Sequence, residues 1–315
     1  MIRRLLKFII LLILIVFVFY MIISNIAFFQ GKGGMYSEKV IIDTDSGNEM
    51  DDLFAIVRAL TDPEMKVIGL ISSQYNFQEK APDSSVMISQ EINEKILEIL
   101  NLTAISHPVG AGKMIRTKGK PFPQPSDGAK FIIDNAHGLP SGEKLKIITL
   151  GATTNLASAI LMDSSIIPYL DCYVMGLKYD PIKNAWNKNE FNTRNDLDAM
   201  DVILNTKNLE ITVMTATVSE NLKFQKNETF DKLSSKGDIW NYLLSRWDDK
   251  FPEYQEWIMW DVAIIEAIIH PKYATVKEIF TPPENTRRKI KVYTKIRTKE
   301  MIEDYWKAVE RASGN

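Results

Sequence analysis

Residues 39–56 read Lys39-Val40-Ile41-Ile42-Asp43-Thr44-Asp45-Ser46-Gly47-Asn48-Glu49-Met50-Asp51-Asp52-Leu53-Phe54-Ala55-Ile56. A short apolar run ends in Asp43, an acidic stretch follows, and Leu53 begins a pattern of apolar side chains at helical spacing. This is a buried strand passing through a tight polar turn into a helix. Five carboxylates fall within ten residues, at 43, 45, 49, 51 and 52, and they repel one another unless a cation neutralises them. Helix capping accounts for Asp51 and Asp52, whose charges suit a helix N-terminus. It does not account for Asp43 and Asp45 on the strand end opposite. Oxygen ligands without a neighbouring cysteine or histidine suit a hard ion, Ca²⁺ or Mg²⁺, rather than Zn²⁺.

Working outward, the same alternation continues. Strand-length apolar runs occur at Met65 to Ile71, Leu145 to Leu150, Asp171 to Gly176 and Leu209 to Thr215. Helical apolar spacing occupies Leu53 to Leu60, Val86 to Leu100, Ala129 to Ala136, Asn155 to Met162 and Ala199 to Leu204. Buried strands separated by amphipathic helices predict an α/β fold, a mostly parallel open sheet with helices on both faces. Sites in such folds lie at the carboxyl ends of the strands, where the acidic stretch stands.

The chain has 315 residues, 38 basic and 40 acidic side chains and one cysteine. A net charge of -2 offers no basic field for a phosphate backbone, so nucleic acid is not an expected partner. One cysteine forms no internal disulfide. Residues 8–29 contain no charged side chain, and 22 residues exceed the roughly 20 that a helix needs to cross a bilayer. Arg3, Arg4 and Lys7 precede this segment, and no charge follows until Lys32. The pattern predicts an N-terminal transmembrane helix over residues 1–29, with the N-terminus inside and the remainder extracytoplasmic. Cleavage as a signal peptide is the alternative, although Asn25-Ile26-Ala27 fits a small-x-small site poorly. A glycine-bearing linker spans 30–38, and residues 39–315 form one catalytic-sized domain.

The run DTDSGNEMDD resembles the aspartate motif of the nucleoside hydrolases, the inosine-uridine-preferring superfamily, usually Asp-x-Asp-x-Gly-x-Asp-Asp. Here two extra residues lie between Gly47 and Asp51. Three more segments follow in the family's order. Gly151-Ala152-Thr153-Thr154-Asn155-Leu156-Ala157 resembles Gly-Pro-Leu-Thr-Asn-Leu-Ala. Glu190-Phe191-Asn192, with Asp196 and Ala199, resembles Glu-Phe-Asn-x-x-x-Asp-x-x-Ala. Met259-Trp260-Asp261 resembles the closing Met-His-Asp or Met-Trp-Asp. The resemblance implies a Rossmann-type core and calcium-dependent hydrolysis of the N-glycosidic bond of ribonucleosides. It also implies calcium ligation by Asp45, Asp52, the Thr154 carbonyl and Asp261. Asp45 would be the catalytic base, Asp51 and Asn192 would hold the 2′- and 3′-hydroxyls, and Glu190 and Asn184 the 5′-hydroxyl. Asn76 matches a further family asparagine. Homo-oligomers are the family's usual state.

Where some members carry a histidine that protonates the leaving base, this chain has Trp260, as in the purine-preferring branch, which stacks the base on aromatic rings. Its three histidines, His107, His137 and His270, fall outside the motif segments; His137 reads as a helix C-terminal cap. Two alternatives belong to other classes. One is a calcium-dependent riboside-binding protein without turnover. The other is a haloacid-dehalogenase phosphatase, which the Asp43-Thr44-Asp45 start resembles; that family expects Thr or Val where Gly47 stands.

Overall fold

The computed structural model describes residues 38–76, 84–117 and 120–314. The expected anchor at 1–29, and all of the 30–38 linker except Glu38, lie outside them. Among the described residues no helix is long and apolar enough to cross a membrane.

The elements are β1 (Lys39–Thr44), α1 (Asp51–Leu60), β2 (Lys66–Ser72), α2 (Ser85–Ile99), α3 (Asp127–His137), β3 (Leu145–Thr149), α4 (Thr154–Met162), β4 (Leu170–Met175), α5 (Leu197–Asn205), β5 (Glu210–Met214), α6 (Asp238–Lys250), α7 (Trp260–Ile269), β6 (Ala274–Phe280), β7 (Lys289–Ile296) and α8 (Thr298–Ser313). Seven strands form one sheet in the order β6-β7-β5-β4-β3-β1-β2. Every pairing is parallel except β6 with β7. All five strands and all five helices expected from the apolar patterns are present.

Alternation along each strand builds two cores. Val40 and Ile42 of β1 and Ile148 of β3 join one apolar cluster with Phe54, Ile96, Trp247, Ile264 and Tyr305. Ile41 of β1 and Ile147 of β3 join the other, with Ile132, Leu156 and Ile203. Thus α1, α2, α6, α7 and α8 cover one face, and α3, α4 and α5 the other. Burial of successive side chains on opposite faces is why these strands carry unbroken apolar runs. Cys172 sits mid-strand on β4, fully buried; burial pushes its thiol well above the ordinary value.

The hairpin β6-β7 and helices α6 and α8 have no counterpart in the sequence expectations. β6 is an edge strand, largely exposed along its length, so its pattern contains little burial signal. Charged side chains such as Lys277 and Glu278 suit an edge that must not pair with another chain.

Candidate active site

At the carboxyl ends of β1, β3 and β4 lies a cavity of about 310 Å³, at the lower end of the roughly 300–1,000 Å³ of small-molecule sites. Its floor is acidic. Asp45 follows β1. Asp51 and Asp52 are the first two residues of α1, and Asp261 is the second residue of α7. Two helix N-termini therefore converge, and their partial positive charge favours carboxylates there. The Asp261 amide donates to Asp51 Oδ2 at 3.1 Å, tying the start of one helix to the other. Thr44 Oγ1 donates to Asp52 Oδ1.

Only glycine at position 151 lets Asp45 lie where it does: a Cβ there would stand 2.6 Å from Asp45 Oδ1 and 3.0 Å from its main-chain nitrogen. Asp45 Oδ2 is buried without a hydrogen-bond partner. Asp45 is raised well above the ordinary carboxylate range by burial, then by Asp52 and Glu49. Burial and neighbouring carboxylates raise Asp51 and Asp261 likewise. Burial lifts Asp52 to about 6 against the hydrogen bonds it accepts.

Asp51, Asp52 and Asp261 present carboxylate oxygens within 4.8 Å of one another. Buried carboxylates this close cannot all ionise without a cation. The orphaned Asp45 oxygen beside them and an all-oxygen donor set fit a hard divalent ion.

Seven of the residues expected at the site line this cavity: Asp45, Asp51, Asp52, Glu190, Asn192, Trp260 and Asp261. Three do not. Thr154 is the first residue of α4, where a carbonyl points along the helix toward the amide four residues on. Its hydroxyl donates to Asp196 Oδ2 at 2.8 Å and accepts from Gln74 Nε2 at 3.3 Å. It is a framework residue. Leu150, just after β3, lines the cavity, and its carbonyl accepts from Asn192 Nδ2. Asn184 stands exposed at the tip of a hairpin (Lys178–Asp180 with Ala185–Asn187), at φ +50°, and accepts from Tyr179 Oη at 2.5 Å. Asn76 braces a loop, donating to the Gly112 carbonyl at 2.8 Å and accepting from Ser85 Oγ at 2.5 Å.

Glu190 reaches the cavity in an unexpected role. It caps the short helix Phe191–Asn195: Oε1 accepts from the Asn192 amide at 3.0 Å, and Oε2 from the Thr193 amide and hydroxyl, each at 2.9 Å. Oε2 also accepts from the Leu177 amide at 3.1 Å. Leu177 adopts φ +60°, a strained conformation for a branched side chain, and this strain aims its amide at the carboxylate. Asp196 caps α5 through Ala199, whose amide donates at 3.0 Å, which explains their three-residue spacing.

Among cavity residues the sequence expectations missed are Glu49, Leu150, Met175, Lys178 and Arg194. Glu49 lies in the two-residue insertion and is lifted to about 7 by burial, then by Asp52 and Glu190. Its signal was its place within the acidic stretch. Asn155 joins the strand ends from behind, donating to Asp43 Oδ1 at 2.9 Å and the Ser72 carbonyl at 3.2 Å. None of the three histidines lines the cavity.

Residues 40–310 match the family model described as inosine-uridine preferring nucleoside hydrolase. The chain belongs to that family. This nucleoside hydrolase is accordingly an enzyme of the N-glycosyl hydrolase class, and a haloacid-dehalogenase phosphatase is set aside. Probable uridine nucleosidase 2 of Arabidopsis thaliana is 26% identical over 224 residues, 65% of this chain and 67% of that protein. Uridine nucleosidase 1 of the same plant is 27% identical over 216 residues, 64% of this chain and 62% of its own length. The hydrolase thus matches somewhat under two thirds to two thirds of the length of these relatives. A plant nucleoside hydrolase structure, the PpNRh1 enzyme, is similar in fold, with a TM-score of 0.67 at 16% identity over 87% of this chain and 99% of that one.

Proposed function

We propose that the domain hydrolyses the N-glycosidic bond of ribonucleosides, purine ribosides foremost, with calcium held by Asp45, Asp52 and Asp261. The observation that carries this is the meeting of Asp51, Asp52 and Asp261 within 4.8 Å at two helix N-termini, beside Trp260 in one cavity. When bound, calcium lowers the pKa of a bound water and grips vicinal hydroxyls. The Leu150 carbonyl is the main-chain oxygen available to complete the ligand set, in place of Thr154.

The protein's own groups divide the remaining work. Asp45, with an oxygen free of internal partners, accepts a proton from the attacking water. Asp51 orients ribose hydroxyls together with Asn192, whose amide is steadied by strand-end carbonyls. The surrounding carboxylates stabilise positive charge on the ribose in an oxocarbenium-like transition state. Trp260, half-buried on the cavity wall, offers a flat apolar face to the departing base.

The absence of histidine from the described cavity wall favours purines, which stack more strongly. The uridine nucleosidase names of the two plant relatives favour a pyrimidine reading. Ribose release from inosine and from uridine, each with and without chelator, separates them. Faster, chelator-sensitive release from inosine is expected. Binding without release would make the domain a riboside-binding protein.

We also propose that residues 8–29 anchor the chain with its catalytic domain outside the cytoplasm. The uncharged stretch behind Arg3, Arg4 and Lys7 supports this. Protease accessibility in spheroplasts tests it, and light scattering tests a homo-oligomer.

A further inference from the structure

Resting on the hydrolase reading above, we propose that Lys178 and Arg194 form an anion-recognising rim, and that the favoured substrate is an N-riboside bearing a 5′-phosphate. Both residues line the acidic cavity, and Arg194 also borders a neighbouring cavity with Asp196 and Asp198. Both are exposed, and neither has an ion pair or side-chain hydrogen bond among the described residues.

Their place relative to the sugar follows from what the other walls hold. Diol on the carboxylate floor and base against Trp260 leave the Glu190 corner for the 5′ end. Lys178 adjoins Leu177, whose amide donates to Glu190 Oε2 at 3.1 Å. The Arg194 amide donates to the Glu190 carbonyl at 2.9 Å. The two residues therefore stand at backbone positions beside that corner, on different elements.

What the corner lacks is also informative. A neutral 5′-hydroxyl asks for a free acceptor. Glu190 Oε2 accepts from the Leu177 and Thr193 amides and the Thr193 hydroxyl and Oε1 from the Asn192 amide, which leaves one acceptor site on Oε1, and Asn184 stands out at the hairpin tip. Glu220 also borders the cavity, but no ion pair of 4.0 Å or less joins it to either cation. A lysine and an arginine lining one cavity suit a phosphate monoester.

Water's oxygen bonds to C1′ as the C1′–N bond breaks. One water proton stays on the new hydroxyl, the other passes by way of Asp45 to the departing base nitrogen, and the products are ribose 5-phosphate and free base.

The test uses the full-length chain in detergent with calcium. It compares kcat/KM for inosine, inosine 5′-monophosphate and orotidine, whose anion is on the base. Detection of ribose 5-phosphate distinguishes direct cleavage of the nucleotide from a route in which the phosphate is lost first. The expected result is at least tenfold preference for the nucleotide over inosine, falling tenfold or more in K178Q/R194Q and retained in R194K. Inosine cleaved as well as the nucleotide, or a ratio unmoved by K178Q/R194Q, overturns the rim while leaving the hydrolase reading intact. Preference for orotidine moves the anion to the base end and overturns the 5′ assignment. Cleavage of none of the three removes the hydrolase reading and the rim with it.

Discussion

Asp45 is held against Gly151, and its Oδ2 has no hydrogen-bond partner, so its substitution should reveal chemistry rather than folding. On the proposed reading Asp45→Asn removes a base and a ligand charge together; loss of a general base alone lowers turnover by about 10²–10⁴, and the two losses would compound. A mere cap would cost about 1 kcal/mol of stability. Steady-state turnover with a melting curve on the same preparation distinguishes these, and near-normal turnover in the folded variant would refute the assignment. Trp260→Ala should weaken purine ribosides more than pyrimidine ones. Stacking of a base on an aromatic ring contributes about 1–3 kcal/mol, roughly 5- to 150-fold in kcat/KM; equal losses for inosine and uridine would remove the stacking role. At this scale the acidic stretch, Asn192 and Asp261 were legible because carboxylates and amides at strand ends and helix starts have few purely structural uses in such number. Thr154, Asn184 and Asn76 lie off the cavity wall, because identical side chains serve equally well as braces, and only packing tells whether a hydroxyl meets Asp196 or a ligand.

Helices α1 and α7 bring their N-termini to the cavity, and a buried arginine binds their far ends. Arg58 Nε donates to Glu266 Oε1 at 2.7 Å, one terminal nitrogen to Asp62 at 2.6 Å, and the other to Asp304 of α8 at 3.1 Å. Glu266 is fully buried, and burial lifts it to about 7 against the pull of Arg58. Arg58→Met should therefore leave a buried carboxylate unpaired and destabilise the fold by about 3–5 kcal/mol, read from urea unfolding; a loss below about 1 kcal/mol would show that the pair is energetically idle. Of the two, α1 was foreseen from apolar spacing, because its stripe faces the sheet. The clamp was not, since sequence spacing cannot join position 58 to 266. Hairpin β6-β7 escaped for a different reason: an exposed edge strand follows no burial pattern.

For the whole molecule, the acidic floor sets a dependence on pH and on metal. Asp52, Glu49 and Asp43 titrate at about 6, 7 and 8 in the fold, above their values in an unfolded chain. A raised carboxylate favours the folded state while protonated, so this contribution is complete below about pH 4 and lost as pH rises through 6 to 8. The proposed calcium ion would act in the opposite sense, because it would bind the ionised form. Chelated protein should thus lose this part of its thermal stability between pH 5 and pH 8, and calcium should raise Tm more at pH 8 than at pH 5. An equal or larger calcium shift at pH 5 would contradict a carboxylate-held ion. The layered architecture behind this behaviour was legible because strands buried on both faces must alternate with covering helices; the sharing of one cavity by Lys178 and Arg194 was not, because only folding brings those two positions to it. The lone thiol of Cys172, enclosed mid-sheet between β3 and β5, gives the protein an internal clock. An alkylating reagent reaches it only when the central strands separate, so the labelling rate in native buffer, with and without calcium, times how often the whole domain opens.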